Sequence, residues 1–281
     1  MKLVRLGEPG QEKPGLVDAN GAYRSLEGIV DDIGGAALAP DSLARLRGID
    51  TSTLPLVDPN TRLGPCVADV RNFYGIGRNY ADHAAEAKME LPKQAVIFNK
   101  ATSSICGPND NVIIPPGGDK VDWEVEMAVV IGSYAYNVSE EDALDYAAGY
   151  CVCNDISERA WQIEGTGHGV KGKSAPTFGP IGPWLVTADE IADPHDLDLY
   201  LELNGQRVQN SNTRHMVFNV RHLISFASTF MALLPGDIIS TGTPSGIGMT
   251  MNPPRWLKPG DAMRLGVAGL GDQFQTCVAA A

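Results

Sequence analysis

The chain has 281 residues, 43% of them hydrophobic and 20% charged, with a formal net charge of −12. At that length and hydrophobicity it can bury a sizeable core, as one large domain or a main domain with a small appendage, and disorder is excluded as its general state. The negative charge argues against nucleic acid or an anionic membrane as the main partner, though a few local cations could still hold a small anionic substrate.

The first 62 residues read as a small N-terminal α/β unit. Strand-like pieces at 2–6 and 15–18 lead to a short helix at 41–47, and the turn-rich run from Pro55 reads as a linker. The opening MKLVRLGEPG breaks into charge and glycine too early for a signal peptide. Apolar runs such as 127–131 fall far short of the roughly 20 residues that span a bilayer. The expected setting is cytoplasmic.

From about residue 63 the chain reads as one larger unit, with short β runs set between Gly/Pro turns. Four helical insertions interrupt them. The first spans 79–89, with Asn79 as N-cap and Pro92 soon after its end. A second spans 139–148, where Ser139 and Asp142 form a capping-box pair. A short third helix follows Ser157. The last spans 221–234 and ends at Pro235-Gly236, with Leu223, Ile224, Phe226, Phe230 and Met231 giving it a packing face. Regular βα alternation is absent, which disfavours Rossmann sheets and TIM barrels. The expected class is α+β, mainly β, with mixed, antiparallel-rich sheets.

Five cysteines, at 66, 106, 151, 153 and 277, form no disulfide or zinc spacing. They are expected to be buried, reduced thiols, with Cys151 and Cys153 on one strand face.

The most informative segment is Asp122-Trp-Glu124-Val-Glu126-Met-Ala-Val-Val-Ile. Strand alternation puts Asp122, Glu124 and Glu126 on one side, beside a run that enters the core. Carboxylates so placed repel one another and are costly to desolvate unpaired, a conflict that a divalent cation resolves. All-oxygen donors without nearby His or Cys favour Mg²⁺, Mn²⁺ or Ca²⁺ over Zn²⁺. The alternative is a solvent-facing edge of alternating acids. A second apolar strand ends at Asn154-Asp155, just before a helix that offers Arg159 and Gln162 at i, i+3. Arg159 could hold a carboxylate bidentately and Gln162 a keto or hydroxyl oxygen.

Residues 167–174, Gly-His-Gly-Val-Lys-Gly-Lys-Ser, match the phosphate-loop pattern letter for letter. The context opposes a nucleotide site, because the segment follows a helix rather than a strand and runs into proline-rich chain. It could instead carry Lys173 towards a developing enolate. His83 and Glu86, at i, i+3 on the first helix, can point the same way, so that Glu86 orients the imidazole as a general base. A surface His-Glu pair is the plainer alternative.

Taken in order, Gly-Arg-Asn-Tyr-Ala-Asp-His83-x-x-Glu86, Asp122-Trp-Glu124-Val-Glu126, Asn154-Asp155-Ile-Ser-Glu-Arg159-Ala-Trp-Gln162, Gly172-Lys173-Ser174 and Ser240-Thr-Gly-Thr243-Pro-Ser-Gly resemble the fumarylacetoacetate hydrolase family over roughly residues 70–281. The N-terminal residues look like its bacterial branch, which includes hydrolases of 2,4-diketo-3-deoxy sugar acids and proteins labelled ureidoglycolate lyase. The resemblance implies a rolled mixed β core and a homodimer. It implies Mg²⁺ or Mn²⁺ on Glu124, Glu126 and Asp155, with water or substrate completing the shell and Asp122 outside it. His83, Glu86 and Lys173 would be catalytic, and Arg159, Gln162 and Thr243 would bind substrate, with the His83 helix acting as a lid. The implied reaction is hydrolysis of a carbon–carbon bond in a 2,4-diketo acid, first a sugar-derived one giving pyruvate and a hydroxy acid such as lactate. Acylpyruvate or fumarylpyruvate hydrolysis, keto-acid decarboxylation or isomerisation, and ureidoglycolate cleavage are the alternatives.

Overall fold

The computed structural model describes residues 1–86 and 90–280, with the side chains of 83–85 also outside the described set. In chain order the strands are β1 (Lys2–Leu6), β2 (Lys13–Val17), β3 (Tyr23–Ser25), β4 (Phe73–Gly77), β5 (Val96–Lys100), β6 (Ile105–Cys106), β7 (Val112–Ile114), β8 (Val121–Asp122), β9 (Val125–Ile131), β10 (Ala147–Asn154), β11 (Ser157–Glu158), β12 (Gly179–Thr187), β13 (Asp198–Leu203), β14 (Gln206–Asn212), β15 (Ile238–Ser240), β16 (Ala262–Val267) and β17 (Gly271–Ala279). The α-helices are α1 (Pro40–Arg47), α2 (Ala81–Glu86), α3 (Arg159–Ile163), α4 (Gly169–Lys173) and α5 (Val220–Phe230). None of the described helices is long and apolar enough to cross a membrane.

The large sheet runs β3-β2-β1-β12-β10-β9-β15-β4-β5, with β6 alongside β12, and a five-stranded sheet runs β14-β13-β16-β17-β7. This is the mainly β, α+β architecture that the sequence implies. Strand β9 lies near the centre, antiparallel to both β10 and β15, and is buried along its whole length. Its alternation serves two cores. Val125, Met127, Val129 and Ile131 join the larger one, while Ala128 and Val130 face a second that includes Phe73, Cys151, Cys153 and Ile238. An apolar strand without polar alternation is what two covered faces require.

The second core also contains Leu3, Leu16, Leu26 and Ile33, and β1 pairs antiparallel with β12. Residues 1–62 therefore share a sheet and a core with the rest of the chain. Helix α5 is capped by Asn219, whose side chain accepts the His222 N–H at 2.9 Å, and buries Val220, Leu223, Ile224, Ala227 and Ser228. It stops at Phe230 because Met231 is extended, shorter than the expected 221–234.

Two expectations need correction. The segment 139–148 is not a helix. Ser139 and Asp142 do form the expected hydrogen bonds, but only a 3₁₀ turn at Ala143–Tyr146 follows, and Ala147 already begins β10. Pairing with β9 overrides the local helix signal there. Nor do residues 122–131 form one strand. β8 ends at Asp122 and pairs with β11, so Asp122 leaves the alternation that continues from β9. The helix expected over 79–89 begins at Ala81, and its end lies outside the described residues.

Candidate active site

The β9–β10 register assembles the carboxylates. Glu126 sits opposite Cys153, and Val125 opposite Asn154. Asp155 then falls just past the end of β10, where its backbone N–H donates to the Glu124 carbonyl at 2.9 Å. One oxygen from each of Glu124, Glu126 and Asp155 lies within 4.8 Å of the others, and all three residues are buried. That spacing suits an ion with oxygen ligands at about 2.0–2.6 Å. Glu126 accepts both Ser240 Oγ–H (2.6 Å) and the Gly242 N–H (2.8 Å) on its Oε2, which fixes the carboxylate. Burial, then the charges of Asp155 and Glu124, push the Glu126 carboxyl well above the usual range. The buried, all-oxygen donor set with its strained charge fits Mg²⁺ or Mn²⁺.

Three cations close around these acids. Lys173, at the end of α4, places Nζ 2.6 Å from both Glu124 Oε2 and Asp155 Oδ2. Lys100, at the end of β5, reaches Asp155 Oδ1 at 2.5 Å. Arg159, opening α3, donates from Nη2 to Glu124 Oε1 at 2.6 Å and from Nη1 to Gln162 Oε1 at 3.0 Å. Burial works against the charge of both Arg159 and Lys173, but the adjoining carboxylates outweigh it and hold both above their ordinary values.

The phosphate-loop lookalike thus has another purpose. Its Lys173 is committed to two carboxylates, and its Gly172 lets α4 cross α3. A Cβ there would stand 2.8 Å from the Gln162 backbone N and 2.5 Å from its Cβ.

The remaining candidates stand as follows. Glu86 is exposed, and its Oε2 accepts the Gly246 N–H at 3.0 Å. The His83 side chain lies outside the described residues. Thr243 is buried beside Glu126, but its hydroxyl donates to the Val125 carbonyl (3.0 Å) and accepts from Gln209 Nε2 (2.8 Å), so it braces β9. Sequence reasoning missed Lys100 altogether. The one signal was a lysine closing a strand that opens Val-Ile-Phe.

Comparison with known proteins gives the family and the fold. Residues 72–278 match the profile of the fumarylacetoacetate (FAA) hydrolase C-terminal family. A Burkholderia cenocepacia protein with a provisional hydrolase name is 59% identical over 277 residues, 98% of each chain. Among solved structures, a fumarylacetoacetate hydrolase from Exiguobacterium antarcticum is 31% identical, with a TM-score of 0.85 over 100% of both chains. Maleylpyruvate hydrolase from Sphingobium sp. SYK-6, solved with manganese(II) and pyruvate, is 27% identical, with a TM-score of 0.80 over 100% of both chains.

Proposed function

This chain belongs to the fumarylacetoacetate hydrolase family, and from that premise we propose that it hydrolyses a carbon–carbon bond in a 2,4-diketo acid of the acylpyruvate type, releasing pyruvate. The observation that carries the reading is the convergence of Arg159 and Lys173 on the Glu124, Glu126 and Asp155 cluster. It puts carboxylate-binding and enolate-stabilising cations beside a divalent-cation site. The solved relative that binds manganese(II) and pyruvate supports the same product and metal class.

Glu124, Glu126 and Asp155 would hold Mg²⁺ or Mn²⁺. Bound there, the ion supplies Lewis acidity for a 2-keto oxygen and charge for an enolate. Arg159 and Gln162 orient the substrate carboxylate. His83, supported by Glu86, takes a proton from water as the water oxygen bonds to C4. The C3–C4 bond then breaks, its electron pair becomes the pyruvate enolate, and the Lys173 ammonium stabilises the enolate oxygen. Protonation at C3 gives pyruvate, and the rest of the substrate leaves as an acid. Thr243 holds β9, and with it Glu126, in place. The first-choice substrate is a 2,4-diketo-3-deoxy sugar acid such as the L-rhamnonate derivative, whose second product is L-lactate. The active form is a homodimer.

The test is pyruvate release from sugar-derived diketo acids, acetylpyruvate, fumarylpyruvate, maleylpyruvate and oxaloacetate, with Mn²⁺ or with chelator. Chelator-sensitive release from a diketo acid with a matching acid co-product supports hydrolysis. Turnover of oxaloacetate alone, with loss of CO₂, replaces it with decarboxylation.

A further inference from the structure

Asp122 is fully buried, yet it belongs to neither the metal cluster nor the strand that carries Glu126. Its Oδ2 accepts Arg159 Nε–H at 2.9 Å and the Met249 N–H at 3.1 Å. Its Oδ1 accepts the Gly248 N–H at 2.7 Å and its neighbour Trp123's N–H at 2.9 Å. A carboxylate this enclosed needs such donors, and the only cation among them is the Nε edge of Arg159.

Those contacts sort the guanidinium's five donors. Nε–H goes to Asp122, one Nη2–H to Glu124 and one Nη1–H to Gln162. Among the described contacts one N–H remains on each terminal nitrogen, available to a substrate carboxylate. Glu124 and Gln162 hold only the terminal nitrogens, and leave the Nε side of the guanidinium unanchored. Asp122 supplies the third contact, at Nε, and ties the group to the Gly248–Met249 turn.

We infer that Asp122 is a positioning residue that fixes Arg159 for recognition of the substrate's carboxylate. This rests on the proposed keto-acid reading, in which Arg159 is the carboxylate ligand. Asp122 is outside the three carboxylates that would hold the ion, so its loss should separate substrate binding from metal binding.

The test uses the Mn²⁺-loaded full chain, with pyruvate as the probe in calorimetric titration and Mn²⁺ affinity read by electron paramagnetic resonance. Asp122→Asn is near-isosteric and keeps an acceptor for the Gly248 and Trp123 N–H groups. It is expected to bind Mn²⁺ within twofold of the parent and pyruvate at least tenfold more weakly, with KM raised by a similar factor and kcat within threefold. In an Arg159→Lys background the same change should weaken pyruvate binding less than twofold further. If Asp122→Asn does not fold, Asp122→Glu replaces it, since it retains the charge but displaces the carboxylate and should show the same selective loss. Unchanged pyruvate affinity, parallel loss of Mn²⁺ and pyruvate, or additivity with Arg159→Lys overturns the assignment of Asp122 alone. A loaded parent that binds no pyruvate overturns the keto-acid reading, and the assignment with it.

Discussion

Lys100 Nζ lies 2.5 Å from Asp155 Oδ1, and both side chains are almost wholly removed from solvent. Asp155 shares its other oxygen with Lys173. Around the site, Asp122, Glu124, Glu126 and Asp155 face Lys100, Arg159 and Lys173, so the carboxylates outnumber the cations by one. A divalent ion reverses the sign of that imbalance.

Lys100→Met leaves one oxygen of Asp155 without its cation. Breaking a buried pair typically costs about 3–5 kcal/mol, and the contact with Lys173 places this case at the lower end. The melting temperature of chelator-treated protein should fall clearly, and saturating Mn²⁺ should recover most of the loss by mass action. An equal drop with and without Mn²⁺ would show that Lys100 serves packing rather than charge.

Glu126→Gln removes one anionic ligand but keeps an acceptor for Ser240 and Gly242. Outer-shell changes cost metal affinity roughly 10–100-fold, and losing a direct ligand should exceed that. Mn²⁺ titration followed by electron paramagnetic resonance checks it. Without metal, the variant should be at least as stable as the parent near neutral pH, because it removes a poorly solvated carboxyl from among like charges.

Gly246 has φ +99, and a Cβ there would stand 1.9 Å from the Val208 carbonyl oxygen. The same turn accepts Trp123 Nε1–H on its carbonyl and donates its N–H to Glu86. Gly246→Ala should destabilise the protein by on the order of 1–3 kcal/mol. It should lower kcat further than that loss explains, since the turn anchors α2. Chemical denaturation paired with steady-state rates separates the two effects.

The five cysteines are all buried. Burial pushes the Cys277 thiol up to about 12 and raises Cys106 and Cys153 too, while for Cys151 a hydrogen bond with Cys66 adds to burial. Thiolates are therefore scarce at neutral pH. Native protein at pH 8 should show no fast reaction with a disulfide reagent, and all five thiols should react once it is denatured. Any fast native thiol would contradict the packing.

The carboxylate cluster was legible because its signals are chemical. Acids inside an apolar strand, and an acid where a second strand ends, are costly unless brought together. That β9 is buried followed from the apolar run at 127–131, but its place between two cores did not. Lys100 escaped notice because its partner is 55 residues away and an isolated lysine carries no pattern. The helix expected at 139–148 failed where local capping competed with a long strand pairing, and pairing prevailed. Asp122 was placed on the same strand as Glu126 because alternation assumes an unbroken strand, whereas β8 ends at Asp122 and β9 begins only at Val125. Its role depends on Arg159 and the 248–249 turn, which converge only in three dimensions.

The pairing of β1 with β12 has a practical meaning for dissecting the protein. The family match begins at residue 72, so a designer would be tempted to express that stretch alone. Such a fragment would bare the β1-facing side of β12 around Leu185 and Val186, and strip Leu3, Leu16 and Leu26 from above Ala128 and Val130. It would present an open, greasy edge to its neighbours in solution and precipitate rather than fold. The stretch that the family profile covers is shorter than the piece that folds as one.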